Sequence, residues 1–425
     1  MKKKIFGTAM TCLAAAAVLG CGPVCGSQAY SGRSIVLSGG RLIDGNGGAP
    51  MEDADVVIRG DRIVAVGPRG TVPIPAGATV LDVRGRTVLP GFMNVHAHYT
   101  HIVSNMLEWG REGVTTIRDL VSIDWSQYVF CKNYLAQNVG DPRLPRVLFA
   151  GFCLDVAGGT PRPNGYFLTS IDDARAKVNY LLDNGAEVIK VYLEDGSIIG
   201  NTYSVMPPEM LTAIVETAHA RKVRVSAHVQ ELWCLVLALD CGVDDIAHSI
   251  LDKEIPADVI ERMIRTDTYL VPTLEIYYRY RFPAVIEAAK ANLRRLNDAG
   301  APIALGTDFA PGLETGMPST EMLLMRQCGM TPMQIIVAAT KHGAHVCGLD
   351  SELGTIESGK MADVLVVDGD PLTDLNVLKN NRLLVLHNGR VAFSRLTSGF
   401  LPRSTHTEAT KDITGEYPNF QNKET

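Results

Sequence analysis

Ser170-Ile-Asp-Asp-Ala-Arg-Ala-Lys-Val-Asn-Tyr-Leu-Leu-Asp-Asn-Gly185, followed by Glu187-Val-Ile-Lys-Val-Tyr192, contains one whole repeat of the fold. Ser170 can cap a helix whose apolar positions Ala174, Val178, Leu181 and Leu182 share one face. Asp172 and Asp173 favour its positive start, and Gly185 supplies the stop. The apolar run that follows reads as a buried strand. Downstream, Pro207-Pro208 opens a second helix carrying Met210, Leu211, Ile214, Val215 and Ala218, and Arg224-Val-Ser-Ala-His228 follows as the next strand. Helix and strand keep alternating in this way over residues 89–349, which predicts a parallel sheet; at this size its commonest closed form is a (β/α)8, TIM-like barrel.

Outside that block the pattern turns to β-structure. Ser34–Leu37, Arg41–Ile43 and Thr79–Val83 are short strand candidates, and Gly60-Asp61 is a hairpin turn between Asp55–Arg59 and Arg62–Val66. Asp363–Asp368, Leu383–Leu386 and Val391–Phe393 repeat the pattern near the other end. The economical reading is an α/β chain in which residues 33–88 and 350–397 pair into one small β-sandwich bracketing the barrel. Residues 398–425 are polar and read as a loose tail.

At the start of the chain, Lys2-Lys3-Lys4 precede an uncharged apolar stretch from Ile5 to Gly20. A basic start, a short apolar run and small residues after it describe a secretory signal peptide over residues 1–20. The run is short for a span, which needs ~20 apolar residues. Val18-Leu-Gly-Cys21 resembles a bacterial lipoprotein box, so Cys21 is the expected lipidation site and the only expected link to a membrane. A simply cleaved signal or a retained anchor is the other reading. Either way the protein is expected to cross the bacterial inner membrane, to the periplasm or a lipid anchor in the envelope. Of nine cysteines, Cys12 goes with the signal and Cys21 with the anchor. The rest lack the dense spacing of a disulfide scaffold and read mostly as small buried apolar residues. With a formal net charge of −6 and no basic run in the mature region, nucleic acid is excluded as a partner.

The chemistry is concentrated at strand ends. His96 and His98, at i and i+2, point to one side of a strand and suit a metal, although such a pair alone is more often structural. Lys190 lies inside an apolar strand, where an ammonium is costly unless it meets a carboxylate or snorkels out; carboxylation by CO2 would instead make it an anion able to bridge two cations. His228, His248 and Asp308 each end a predicted strand. Singly each reads as a core residue or cap. Together they fall where barrel active sites are built.

Val88-Leu-Pro-Gly-Phe-Met-Asn-Val-His-Ala-His98, Gly185-Ala-Glu-Val-Ile-Lys190, Ser226-Ala-His228, Ile246-Ala-His248 and Leu305-Gly-Thr-Asp308 resemble motifs of the amidohydrolase superfamily. Gly329-Met-Thr-Pro-Met333, Ala338-Ala-Thr340 and Gly354–Asp363 extend the likeness over nearly the whole chain after the signal. The likeness is to the binuclear, carboxylated-lysine branch that holds prolidase-like dipeptidases and imidazolonepropionases. It implies two divalent ions, zinc by default. His96, His98 and Asp308 would hold one, His228 and His248 the other, and carboxylated Lys190 would bridge them. Asp308 would be the catalytic proton carrier. The lysine speaks against the mononuclear deaminase branch.

The expected activity is hydrolysis of an amide bond in a small substrate such as a dipeptide or N-acyl amino acid. Opening of a cyclic amide or lactone is the alternative within enzymes, and a catalytically silent envelope binding lipoprotein the alternative outside them. Asn94 stands where relatives usually have aspartate. Val-Gln-Glu-Leu-Trp233 after His228 and Phe-Ala-Pro-Gly-Leu-Glu314 after Asp308 replace the usual small residues, so the pocket is expected to be rebuilt. Tyr192, His101 and Thr273 are the candidate substrate-binding residues. Tyr277, Tyr278, Arg279 and Tyr280 form an aromatic-basic cluster that suits either a substrate carboxylate or a helix surface. His219, His342, His345 and His387 read as structural. A homo-oligomer is left open.

Overall fold

A computed structural model describes residues 34–121, 125–160, 165–280 and 283–396. The signal region 1–20, Cys21 and the tail 398–425 lie outside the described residues. The fold is mixed α/β.

Two parallel sheets hold the apolar strands. Phe92–Ala97, Val114–Asp119 and Arg146–Phe149 form one. The other runs Gly165–Leu168, Cys153–Val156, Ile189–Leu193, Val225–Val229, Asp245–Ala247, Tyr269–Val271. Of these, Ile189–Leu193, Val225–Val229, Asp245–Ala247 and Tyr269–Val271 are buried along their whole length, as strands covered on both faces must be. Backbone bonds join the two sheets where Glu187 N–H donates to the Phe149 carbonyl at 2.8 Å. Past Tyr269–Val271, Ala304 N–H donates to the Leu270 carbonyl at 2.9 Å, and Val95 N–H donates to the Leu305 carbonyl at 3.0 Å. The segment around residues 303–308 therefore lies between Tyr269–Val271 and Phe92–Ala97.

The repeat that opens the sequence reading forms as expected. The helix runs Ile171–Asp183, the Ser170 hydroxyl accepts the Asp173 N–H at 3.1 Å, and Ala174, Val178, Leu181 and Leu182 are its buried face. Each buried leucine contributes roughly 1.5–3 kcal/mol. Gly185 sits at φ +87°, a conformation that glycine adopts without strain. The next helix is Pro208–Ala220, and it packs against the first.

The two terminal β-segments share one eight-stranded sheet among the described residues. Its order is Arg390–Ser394, Arg382–His387, Val364–Val367, Thr87–Pro90, Ser34–Leu42, Met51–Arg59, Arg62–Pro68, with Thr79–Asp82 beside Ser34–Leu42. Antiparallel pairing of Val364–Val367 with Thr87–Pro90 joins the N-terminal to the C-terminal segment. Leu37, Val56, Ile58, Val364, Val366, Leu384 and Leu386 form a separate core there. Two expectations need correction. Ser34–Leu37 and Arg41–Ile43 are one strand, Ser34–Leu42, which absorbs Gly39-Gly40 as a register shift. Cys153–Val156 and Gly165–Leu168 are strands that the sequence pattern did not announce.

All six described cysteines are buried, and none forms a disulfide with another described cysteine. Among the described residues, no helix is long and apolar enough to cross a membrane.

Candidate active site

His96 points inward from Phe92–Ala97, and His98 follows one residue past the strand end. Two devices bring Asp308 to them. At Gly306 a Cβ would lie 2.5 Å from Val271 Cγ1 and 2.7 Å from His96 Cβ, so only glycine lets the backbone approach so closely. The Asn94 side chain then ties the segments together: its amide donates to Thr307 Oγ1 at 2.8 Å, and its oxygen accepts the Thr307 N–H at 3.1 Å. An asparagine, with both a donor and an acceptor, makes both bonds to Thr307. The Asp308 N–H donates to the His96 carbonyl at 2.8 Å. Asp308 Oδ1 lies 2.8 Å from His98 Nε2 and 3.2 Å from His96 Nε2, and Oδ2 lies 4.0 Å from His248 Nδ1. His98 Nδ1 faces the Val121 carbonyl at 3.3 Å, which turns Nε2 toward Asp308.

The other side of the site comes from the longer parallel sheet. The His248 ring is 4.9 Å from that of His96 and 4.3 Å from that of His228. Tyr192 pairs with His228 across the strands, and its ring stacks on the imidazole at 4.7 Å. Lys190 is 1% exposed, and its Nζ has no hydrogen-bond partner among the described residues. The nearby Asp245 carboxylate is already engaged: the Arg118 guanidinium donates to both its oxygens at 2.7 and 2.8 Å, and Ser226 Oγ donates to one at 2.8 Å.

Burial sets the charge states. It pushes the Lys190 amine down to about 7, against the pull of Asp245 and Asp308. It also holds His96 and His248 well below the ordinary imidazole range, with Lys190 acting further on His96 and His228 on His248. Burial works against the Asp308 carboxylate too, but His96, His98 and His248 outweigh it and hold the group well below its usual value. The result is that His96 and His248 are neutral beside an ionised Asp308. His96, His248 and Asp308 offer ligand atoms within 4.8 Å of one another.

The backbone is strained here. Asp308 (φ +53°), His248 (φ +77°) and Thr273 (φ +48°) are all left-handed. Such outliers collect at functional sites.

The structure thus brings His96, His98, His228, His248 and Asp308 to the C-terminal side of neighbouring strands, while Lys190 is the second residue of Ile189–Leu193. Thr273 is fully buried, with its hydroxyl 2.9 Å from His248 Nδ1. The His101 ring lies 5.7 Å from that of Tyr99. In the aromatic-basic cluster Tyr278 and Tyr280 are exposed and Arg279 faces Glu275 and Thr320, whereas Tyr277 is buried with its hydroxyl 3.2 Å from Gln230 Nε2.

Glu194 was missed: its Oε2 lies 3.1 Å from His228 Nε2. Strand alternation through Lys190, Tyr192 and Glu194 is the signal that would have found it. The rebuilt loop after His228 places Trp233 Nε1 2.6 Å from Asp195 Oδ2, beside the buried Glu231. The remaining described histidines have structural partners. His219 meets Asp244 at 2.8 Å, His342 the Ile303 carbonyl at 2.8 Å and His345 Asp267 at 3.0 Å, while His387 is buried 4.0 Å from Asp363.

Comparison with known proteins identifies the family. The sequence profile of the Amidohydrolase family matches residues 87–392. Ochratoxinase of Aspergillus niger is 27% identical over 412 residues, covering 81% of this chain and 83% of the relative. Imidazolonepropionase of Streptomyces griseus subsp. griseus is 27% identical over 384 residues, covering 79% and 90%. The solved structure of a putative prolidase from Bifidobacterium longum superposes with a TM-score of 0.74 at 26% identity, covering 84% of this chain and 94% of the other. The chain belongs to the amidohydrolase family and is a hydrolase of carbon–nitrogen bonds.

Proposed function

We propose that this amidohydrolase cleaves an amide bond of a small substrate, a dipeptide or N-acyl amino acid, at a site for two divalent ions, zinc by default. One observation carries the reading: His96, His98 and His248 gather about an ionised Asp308, with His228 against His248 and Lys190 buried in the neighbouring strand. The donor set fits the ions. Neutral imidazoles are the form that binds metal. The Lys190 amine, buried without a hydrogen-bond partner, suits a group that takes up CO2 and loses a proton to become a bridging carboxylate. His96, His98 and Asp308 would hold one ion, His228 and His248 the second, and Lys190 both.

When bound, the ions supply Lewis acidity and lower the pKa of a water to about 7. The chain's own residues do the rest. Asp308 takes the proton as the water oxygen bonds to the carbonyl carbon, and passes it to the nitrogen as the carbon–nitrogen bond breaks. Its low pKa keeps it ionised and ready to accept. The Asn94 bonds to Thr307 keep its carboxylate aimed. Tyr192, stacked on His228, is the candidate substrate contact.

The surrounding architecture reads as a (β/α)8 barrel with a small β-sandwich beside it. The barrel reading is supported by the backbone bonds at Phe149, Leu270 and Val95, and the sandwich reading by the separate apolar core. Ring opening of a cyclic amide or lactone is the second reading, favoured by the similarity to imidazolonepropionase. For residues 1–21, export and a lipid at Cys21 remain our proposal from the sequence; the mass of the mature N-terminal peptide from membranes tests it.

The function is tested by a mass-spectrometric screen of the zinc-loaded protein against dipeptides, N-acyl amino acids, lactones and cyclic amides. Cleavage of linear amides, lost in Asp308→Ala, is the expected result. Turnover of ring compounds alone would move the assignment to the second reading. Silence throughout with metal bound would sink both and leave a binding protein.

A further inference from the structure

Thr273 stands at the N-cap of the helix Leu274–Arg279, yet its side chain makes no capping bond. A threonine there ordinarily accepts one of the first helical N–H groups. Here its hydroxyl is turned away, to His248 Nδ1 at 2.9 Å. The abandoned N–H groups are satisfied from another helix. Glu321, fully buried in Ser319–Gln327, accepts the Leu274 N–H at 2.9 Å with Oε1 and the Glu275 N–H at 2.6 Å with Oε2. Thr273 itself is held at φ +48°, a region that a β-branched residue enters only under constraint.

We infer that Glu321 is a positioning residue for His248: by capping the helix in place of Thr273 it frees the Thr273 hydroxyl to hold the His248 ring. The inference rests on the reading of His248 as a metal ligand. The Thr273 hydroxyl on Nδ1 locks the ring plane and, where it accepts the Nδ1 proton, leaves the Nε2 lone pair for an ion. The sp2 carboxylate of Glu321 suits the task because it accepts two adjacent N–H groups at once and is fixed by burial. Without it, those N–H groups would compete for the Thr273 hydroxyl, the usual N-cap acceptor, whose return to the cap would release His248.

The experiment uses the full chain, stripped by chelator and titrated with Co2+, with affinity read from the visible absorbance of each ion. Thr273→Val and Glu321→Gln should each weaken one of the two ions by about 10–100-fold. Acting through the same bond, the double variant should be no weaker than Thr273→Val alone. Thr273→Ser, which keeps the hydroxyl, should bind as the parent does. Parental affinity in Glu321→Gln, or losses that multiply in the double variant, would overturn the proposal. Should Glu321→Gln not fold, Thr273→Ser and Thr273→Val carry the decision, equal affinities overturning it. His248→Ala separates the layers. If it binds both ions like the parent, the metal reading of the site has failed; if it is weakened while Glu321→Gln is not, only the role of Glu321 has.

Discussion

The two ends of the same parallel strands treat ionisable side chains in opposite ways. At the N-terminal ends, charge is spent in pairs around a groove of about 280 Å3: His219 with Asp244, Arg224 with His345, His345 with Asp267. Toward the C-terminal ends, His96 and His248 are buried and three residues take left-handed backbone, and within Ile189–Leu193 Lys190 is buried with an unsatisfied amine. One end is built for stability, the other keeps potential in reserve. Histidine is common to both, so residue type does not separate them. Burial does: His219 and His345 are partly exposed, and His96 and His248 are buried.

The comparison can be broken most directly at Asp308. Asp308→Ala should lower kcat/KM by about 10³-fold or more, near the upper range for a lost proton carrier, while leaving much of the metal bound. Steady-state kinetics beside metal analysis checks this, and an unchanged rate would end the proposed mechanism. Next come two buried cations of opposite upbringing. Arg118→Met strands the Asp245 carboxylate and should cost about 3–5 kcal/mol in denaturant unfolding. Lys190→Met, in metal-free protein, should be neutral or stabilising, because no partner is orphaned. Equal losses at both would show that Lys190 has a structural partner after all.

A methyl group tests how closely the Asp308 segment must approach His96. Gly306→Ala should cost about 1–3 kcal/mol, the usual range for overpacking, and weaken metal retention with it. The smallest effect is one of pH. Burial pushes Glu231 up to about 8, with Asp195 and Glu194 adding to it. A raised carboxyl pKa in the folded state means that its stability contribution is complete below 4.5 and is lost as pH rises toward 8. Glu231→Gln should therefore melt with the parent near pH 4.5 and a few degrees above it at pH 8. A constant offset at both pH values would refute this.

The sequence was most legible where chemistry coincides with periodicity. The helix Ile171–Asp183 and the histidines at strand ends announce themselves, because burial needs a fixed spacing and metal ligands come from few residue types. Cys153–Val156 was not legible, since a four-residue strand soon after Phe149 carries no periodicity of its own. Glu194 lay within reach of strand alternation. Glu321 did not, because it reads as an ordinary acid in the first turn of a helix and meets Leu274 only across 47 residues of chain. The sense of Asn94 also needed the fold, which sets Thr307 opposite it.

The buried cysteines carry a consequence for handling. Burial lifts the thiols of Cys131 to about 12 and of Cys328 and Cys347 to about 11, and raises Cys234 and Cys241 as well. A thiol so far from ionising neither attacks a disulfide nor oxidises readily. In the folded protein these five thiols are thus shielded from the redox poise of the surroundings, while the unfolded chain presents them at their ordinary reactivity. For these five, oxidative scrambling is a hazard of the nascent or refolding chain, and reductant matters most during refolding.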